Sequence, residues 1–203
     1  MPVNAMEIAG LMLIAASFAA LLASRGNRIV RIAGAIIGAG LVVVPFGQAS
    51  ASTLFLGIFG PLSAATLVMA AKSLYAIIAG REEQRWPSTA IAVCLIAIGA
   101  AFYPLTFGLT SFDPYEFGYR GVVVPAMMLV LVLVGWRSRA ADILCWIALA
   151  ALLYTFGAYD SRNLWDYLIV PFDSIYAARV LAVRFIFPRI SGTSRPPARK
   201  SRA

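Results

Sequence analysis

The residue of this chain best placed for chemistry is Asp173, an ionisable carboxylate inside an apolar segment. The segment is "NLWDYLIVPFDSIYAARVLAVRF", residues 163–185, and it is hydrophobic enough to enter a bilayer although it also carries Asp166, Arg179 and Arg184. An unpaired carboxylate within hydrocarbon is unfavourable, so such a group pairs with another helix or holds a proton. Asp173 is therefore predicted to be a functional or pairing residue within the membrane.

A second group of polar residues lies in and beside two loops that are predicted on the outer face. It combines carboxylates with guanidinium groups and consists of Asp113, Glu116, Arg120, Asp160, Arg162 and Asp166. Because Lys and Arg are retained on the cytoplasmic side of membranes, carboxylates also collect outside by default. The group is a candidate outer polar cluster, with ordinary charge sorting as the alternative.

The chain lacks the residues and motifs of the common catalytic and cofactor sites. It contains no histidine, which removes His-ligated haem, the usual zinc sites and His-based acid–base catalysis. No phosphate-binding loop, dinucleotide fingerprint or nucleophile elbow is present. Cys94 and Cys145 lie in apolar runs, where cysteine behaves as a small hydrophobic residue. No catalytic residue, metal ligand or cofactor is predicted.

Composition indicates an integral membrane protein. Of 203 residues, 61% are hydrophobic and 13% are charged, whereas charged residues make up about a quarter of soluble domains. The net charge of +8 lies in short clusters between apolar runs, which favours a role in membrane orientation over nucleic-acid binding. Arginine far outnumbers lysine, a bias common in GC-rich bacterial genomes. The expected location is a bacterial plasma (inner) membrane.

The elements that must position these residues are predicted to be membrane-spanning helices. Residues 1–190 are expected to form one all-α, polytopic transmembrane bundle, and the polar residues 191–203 are expected to form a disordered basic cytoplasmic tail. Gly34 and Gly38 have the spacing of close helix packing, for which packing within the chain is favoured over dimerisation. The predicted spans are residues 5–23, 29–47, 53–79, 88–107, 119–136 and 141–158, with a seventh at 164–187.

The arginine distribution predicts the orientation of the bundle. Alternate loops carry arginine pairs, namely Arg25 and Arg28, Arg81 and Arg85, and Arg137 and Arg139. These loops are expected in the cytoplasm, which leaves the N-terminus outside. A seventh span would bring the basic C-terminal tail to the cytoplasmic side as well. In a continuous helix Arg162, Asp166, Asp173 and Arg184 would share one face; the alternative is a helix lying on the membrane surface.

Two further patterns concern the outer half of the bundle. Prolines within the apolar runs all map there, which predicts helix bends around an outward-facing cavity; these are Pro45, Pro61, Pro104, Pro125 and Pro171. The loop 102–119 is rich in aromatic residues, which indicates an interfacial belt or a docking surface for other membrane proteins. The expected partners are the lipid bilayer, anionic headgroups for the tail and other membrane proteins, with no nucleic acid.

Three classes of function remain open from the sequence. The first expectation is a non-enzymatic accessory or assembly subunit of a membrane complex. The alternative is a small proton-linked transporter that uses Asp173 and an outward-facing cavity. The second alternative is a membrane enzyme acting on a lipid or isoprenoid substrate with outer carboxylates.

Overall fold

The protein is mainly helical in the parts that the computed structural model describes, which are residues 5–24, 26–46, 49–59, 61–80, 88–119 and 121–186. The helices are α1 (Ala5–Leu22), α2 (Arg28–Leu41), α3 (Ala51–Phe59), α4 (Ala64–Ala79), α5 (Thr89–Pro104), α6 (Val123–Arg137), α7 (Ala141–Thr155), α8 (Leu164–Leu168) and α9 (Pro171–Leu181). Wider helical turns extend α5 through Leu105–Leu109 and α9 through Ala182–Ile186, and Pro114–Gly118 forms a 3₁₀ turn. Two-residue strands β1 (Pro45–Phe46) and β2 (Ala49–Ser50) pair antiparallel before α3. The predicted all-α class is confirmed in this coarse form; the predicted tail, residues 191–203, lies outside the described residues.

Two of the described helices are long and apolar enough to cross a membrane. They are α1, with 18 residues, and α5 with its extension, Thr89–Leu109, with 21 residues. At 1.5 Å per residue these measure about 27 and 32 Å, close to the 30 Å hydrocarbon core of a bilayer. Helices α4, α6 and α7 are also apolar but have 16, 15 and 15 residues. A bundle of six or seven spans stays a prediction.

The predicted third span is not one helix. The prediction of a continuous helix over residues 53–79 is wrong, because α3 ends at Phe59 and α4 begins at Ala64. Pro61 lies between them, and proline has no N–H to donate to a preceding turn. Ser63 has an extended backbone and its side chain accepts a hydrogen bond from the Thr66 N–H, so it caps the new helix.

The predicted seventh span is also interrupted. The continuous helix over residues 164–187 is wrong, because the chain is extended at Ile169 and Val170 between α8 and α9. Pro171 follows at the first position of α9, where its missing N–H costs nothing, and a residue before proline favours the extended backbone seen at Val170. The expected shared helical face of Arg162, Asp166, Asp173 and Arg184 therefore does not exist, since no single helix carries all four.

Helices α1 and α2 form an antiparallel pair at one side of the molecule. A Cβ atom on Gly38 would approach Ala15 and Ala19, and one on Gly34 would also meet Ala19. The small-residue spacing therefore allows two helices of the same chain to lie close together, as favoured from the sequence. On its other side α1 contacts α4, where the Ser17 hydroxyl donates to the Ala70 carbonyl at 2.9 Å.

The interrupted segment of α8 and α9 is packed into the rest of the bundle. Helix α8 is buried against α7, where the Trp146 indole N–H donates to the Leu168 carbonyl at 2.8 Å. Helix α9 runs antiparallel to α5, because Ser174 lies beside Leu95 and Gly99 whereas Arg184 reaches Thr89 at the start of α5. The broken segment is thereby held between helices from both halves of the chain.

Candidate functional site

Asp173 lies in the first turn of α9 and is only 2% exposed. Its carboxylate accepts three hydrogen bonds from two separate parts of the chain. The Ser63 hydroxyl donates to Oδ2 at 2.5 Å, the Thr66 hydroxyl donates to Oδ1 at 2.7 Å, and the Val170 N–H donates to Oδ2 at 3.0 Å. The predicted intramembrane residue is thus buried and paired with donors from another helix, although none of these three donors is a cation.

The local sequence explains why the carboxylate turns back to its own helix end. Asp173 is the third residue of α9, so its side chain can reach the backbone N–H of Val170, which precedes the helix. In return the Asp173 N–H donates to the Val170 carbonyl at 3.0 Å. Free N–H groups and the helix dipole favour an anion at this position.

Helix α4 supplies the other two donors from its own beginning. Ser63 is the residue that caps α4, and Thr66 lies one turn into it. Consequently the N-terminal ends of α4 and α9, each created by an interruption near a proline, converge on one carboxylate. We call Ser63, Thr66, Val170 and Asp173 the Asp173 node.

The node is anchored to α5 by the next residue along α9. The Ser174 hydroxyl donates to the Leu95 carbonyl at 2.8 Å. A Cβ atom on Gly99 would lie 2.8 Å from the Ser174 Cβ and closer still to its hydroxyl, so this contact requires glycine. Beside it on α5, the buried hydroxyls of Tyr103 and Thr106 have no hydrogen-bond partner among the described residues. Buried hydroxyls of this kind normally bind water.

A groove of about 300 Å³ opens beside the node between α1, α4 and α9. Asp173 and Thr66 form part of its wall, together with Ser17, Phe18 and Phe172. The sequence predicted an outward-facing cavity between the outer halves of the second to fifth spans, near their prolines. The groove beside Asp173 is elsewhere, because α9 packs against the start of α4 and leaves space on the side of α1.

The outer polar cluster is only partly assembled, and its centre is Asp166. The Tyr115 hydroxyl lies 3.0 Å from each Asp166 oxygen, and the Ser161 hydroxyl donates to Oδ2 at 2.5 Å. Partial burial of Tyr115, with the Asp166 charge beside it, raises the pKa of the phenol above its ordinary value. Asn163 caps α8 and donates to the Tyr115 carbonyl at 2.9 Å, which ties α8 to the outer loop.

The remaining residues of the predicted cluster have separate positions. Asp113 caps the 3₁₀ turn by accepting from the Tyr115 N–H at 2.9 Å, and Glu116 is exposed. Asp160 and Arg162 are exposed and line a surface pocket of about 730 Å³. Arg120 lies outside the described residues. The structure thus joins Asp166 to the loop and leaves no compact cluster of the predicted members in the described part of the chain.

Sequence reasoning missed the two hydroxyl residues of α4 and one ion pair. A serine directly after Pro61–Leu62 and before an apolar run is a helix-start signal, which could have located the end of the interruption at Ser63. Lys72 was also overlooked; its ammonium lies 3.7 Å from an Asp142 carboxylate oxygen, which joins α4 to the start of α7. Among the described residues, no group of acidic, cysteine or histidine residues could hold a metal ion.

The chain defined by this fold and node has no recognised relative. No protein-family model, no curated protein and no solved structure matches it. The structure supports the class only at the level of a mainly helical chain with two helices able to cross a membrane.

Proposed function

We propose that this protein is a small multi-span carrier of the bacterial inner membrane in which Asp173 binds and releases a proton. One observation carries the proposal: two interrupted helices direct their N-terminal ends at the same buried carboxylate. Interrupted helices that meet within a bundle form the ion and substrate sites of many secondary transporters. The sequence ranked an accessory subunit first; the geometry of the node favours the transporter.

The hydrogen bonds of the node suit a group that changes its protonation. A carboxylate can accept about four hydrogen bonds, and three are made here, which leaves capacity for a proton beside the groove. The hydroxyls of Ser63 and Thr66 can turn to accept as well as donate, so they can accommodate either form of the carboxyl group. Proton binding would therefore weaken the contact between the starts of α4 and α9, which links protonation to helix position.

The packing of α9 supports a seven-span topology with the N-terminus outside and the C-terminus in the cytoplasm. The Arg184 guanidinium lies 2.6 Å from the Thr89 hydroxyl, so the end of the last segment meets the end of the bundle where α5 begins. Helix α5 follows the Arg81 and Arg85 loop, which is predicted to be cytoplasmic. Apolar side chains on other helices are widely exposed, as expected for lipid contact; examples are Ile36 at 69% and Leu133 at 59%.

Reporter fusions test this topology. Fusions after residues 50, 84, 112, 138 and 203 are expected to report outside, inside, outside, inside and inside. The alternation follows from the arginine-bearing loops, and the final inside signal follows from α9 crossing towards the end of the bundle where α5 begins. An outside signal at residue 203 would refute the seventh crossing, and loss of alternation at residues 84 or 138 would refute the six-span arrangement.

Proton entry into liposomes tests the proposed activity. The purified chain is reconstituted with a trapped pH dye, and potassium with valinomycin imposes an inside-negative potential. The lumen is either empty or loaded with amines, amino acids and sugars, because a carrier needs its solute on one side. Wild-type protein is expected to acidify at least one lumen faster than protein-free liposomes, and Asp173→Asn is expected to abolish the difference.

Asp166→Asn is the matched control for this experiment. It neutralises another hydrogen-bonded carboxylate of the same interrupted segment, but one that lies in the outer loop network. Proton entry should persist in this variant. Entry that is equal in wild-type protein and Asp173→Asn, or absent from folded wild-type protein under every lumen condition, would contradict the carrier.

A second candidate function, the accessory or assembly subunit, is favoured by exposed rings in the outer loop. Phe107 is 78% exposed and Phe112 is 53% exposed, whereas other rings of the loop pack internally, as Phe102 does against Trp165. Exposed rings at this position suit contact with another membrane protein. Stable copurification that is lost in a Phe107→Ser, Phe112→Ser double variant would favour this function.

A further inference from the structure

The groove between α1, α4 and α9 combines an apolar wall with one buried carboxylate. Its volume of about 300 Å³ is at the small end of ligand pockets, which corresponds to a compact organic molecule. Most of the wall is apolar, and Phe18, Met69 and Phe172 contribute to it. Tyr176, one turn after Phe172 on α9, adds a third aromatic ring.

The charge of the wall selects between possible occupants. Asp173 is the one carboxylate that lines the groove in the described part of the chain, and the lining there includes no lysine or arginine. A neutral occupant would leave this carboxylate without a counter-charge, and an anion would be repelled by it. A hard metal ion requires six or more oxygen ligands, which a largely apolar wall does not supply. An organic cation satisfies both parts of the wall.

We propose that the groove binds an apolar organic monocation, with its ammonium group beside Asp173 and its hydrocarbon part against Phe18, Met69 and Phe172. The inference rests on the proposed carrier function and names the substrate class of the same site. Aromatic rings attract desolvated cations, and the thioether of methionine adapts to varied apolar shapes. Because the proton and the cation would share one carboxylate, binding of one displaces the other, which is the arrangement required for their exchange.

Binding of benzyltrimethylammonium tests the inference. The full-length protein, purified in a neutral maltoside detergent, is titrated with this cation and with neopentylbenzene, in which carbon replaces the charged nitrogen. The cation is expected to bind at one site per chain and at least tenfold more tightly than the neutral molecule. Equal affinity for the two molecules, or no saturable binding of the cation, would overturn the proposed substrate class.

Two variants connect the binding to the groove. Asp173→Asn is expected to weaken binding of the cation at least tenfold, and Asp166→Asn is expected to leave it unchanged. Ser73 also lines the groove, so Ser73→Phe should reduce binding by filling space while the Asp173 node stays intact. This second variant decides the matter if Asp173→Asn does not fold; unchanged affinity in folded Ser73→Phe would overturn the location.

Failure of this inference is distinguishable from failure of the carrier function. Asp173-dependent proton entry without binding of benzyltrimethylammonium would refute the organic-cation class and retain the proton-linked carrier. Binding at Asp173 without proton entry, even when the lumen contains the cation, would refute the carrier and retain the cation site.

Discussion

Replacement of Asp173 separates a buried hydrogen-bonded node from a polar residue that the membrane merely tolerates. In Asp173→Leu the Ser63 hydroxyl, the Thr66 hydroxyl and the Val170 N–H all lose their acceptor. A buried donor without a partner costs about 1–3 kcal/mol. The two hydroxyls can turn towards carbonyls of neighbouring residues, whereas the Val170 N–H has no such freedom. We therefore expect the free energy of unfolding to fall by about 3–6 kcal/mol.

Asp173→Asn should be much milder. Its amide oxygen can face Ser63 and Val170 while its NH₂ group donates to the Thr66 hydroxyl, which can accept a hydrogen bond. All three contacts persist but lose their charge assistance, and charge-assisted hydrogen bonds are roughly twice as strong as neutral ones. The expected loss is about 1–2 kcal/mol. The order of stability is therefore wild type, then Asn, then Leu.

The assay is unfolding of the purified protein in mixed micelles by increasing detergent denaturant, followed by Trp fluorescence. Asp160→Asn, which neutralises an exposed carboxylate, is the control and should match the wild type. If Asp173 faced lipid without partners, leucine would remove an insertion cost of about 2.5–3.5 kcal/mol and stabilise the protein. An Asp173→Leu variant as stable as the wild type would refute the node.

Two further predictions concern other contacts. Gly99→Ala should destabilise the protein by about 1–3 kcal/mol, because the new Cβ overlaps Ser174; Ser174→Gly should restore part of the loss, and Gly40→Ala, with nothing within 4 Å, should be neutral or stabilising in thermal unfolding. The raised pKa of Tyr115 means that the unfolded chain releases this proton first, so its contribution to stability is complete below the unfolded tyrosine pKa of about 10 and falls as pH rises above it. Tyr115→Phe should therefore reduce the loss of melting temperature between neutral pH and pH of about 11, and an unchanged slope would contradict the assignment.

The candidate site was predicted from one residue and completed by the fold. Asp173 was identifiable because a carboxylate in an apolar run needs a partner or a proton, and the structure supplies three donors. Its partners could not be predicted, since Ser63 and Thr66 lie more than 100 residues earlier in the chain. Serine and threonine are common in membrane helices, and nothing local distinguishes a hydroxyl that binds a distant carboxylate from one that bonds to its own helix.

The outer cluster shows the opposite limitation. Six charged residues were grouped by predicted loop position alone, and Asp166 is the one that the described structure joins to a loop residue of another element, Tyr115. Membrane sidedness follows from charge content, but contact requires the extended chain between α7 and α8 to return to the 3₁₀ turn. Asn163 holds it there by donating to the Tyr115 carbonyl.

Sequence alone determined the helical class of this protein and the approximate limits of its apolar segments. Long apolar runs must satisfy their backbone hydrogen bonds internally in lipid, so composition and run length suffice for that inference. Tertiary structure decided where the helices stop. A proline within a run can bend a helix or end it, and the outcome at Pro61 and Pro171 depends on whether the freed helix start finds a partner. Here each of the two helix starts supplies hydrogen bonds to one buried carboxylate, so the two interruptions stabilise each other across the bundle.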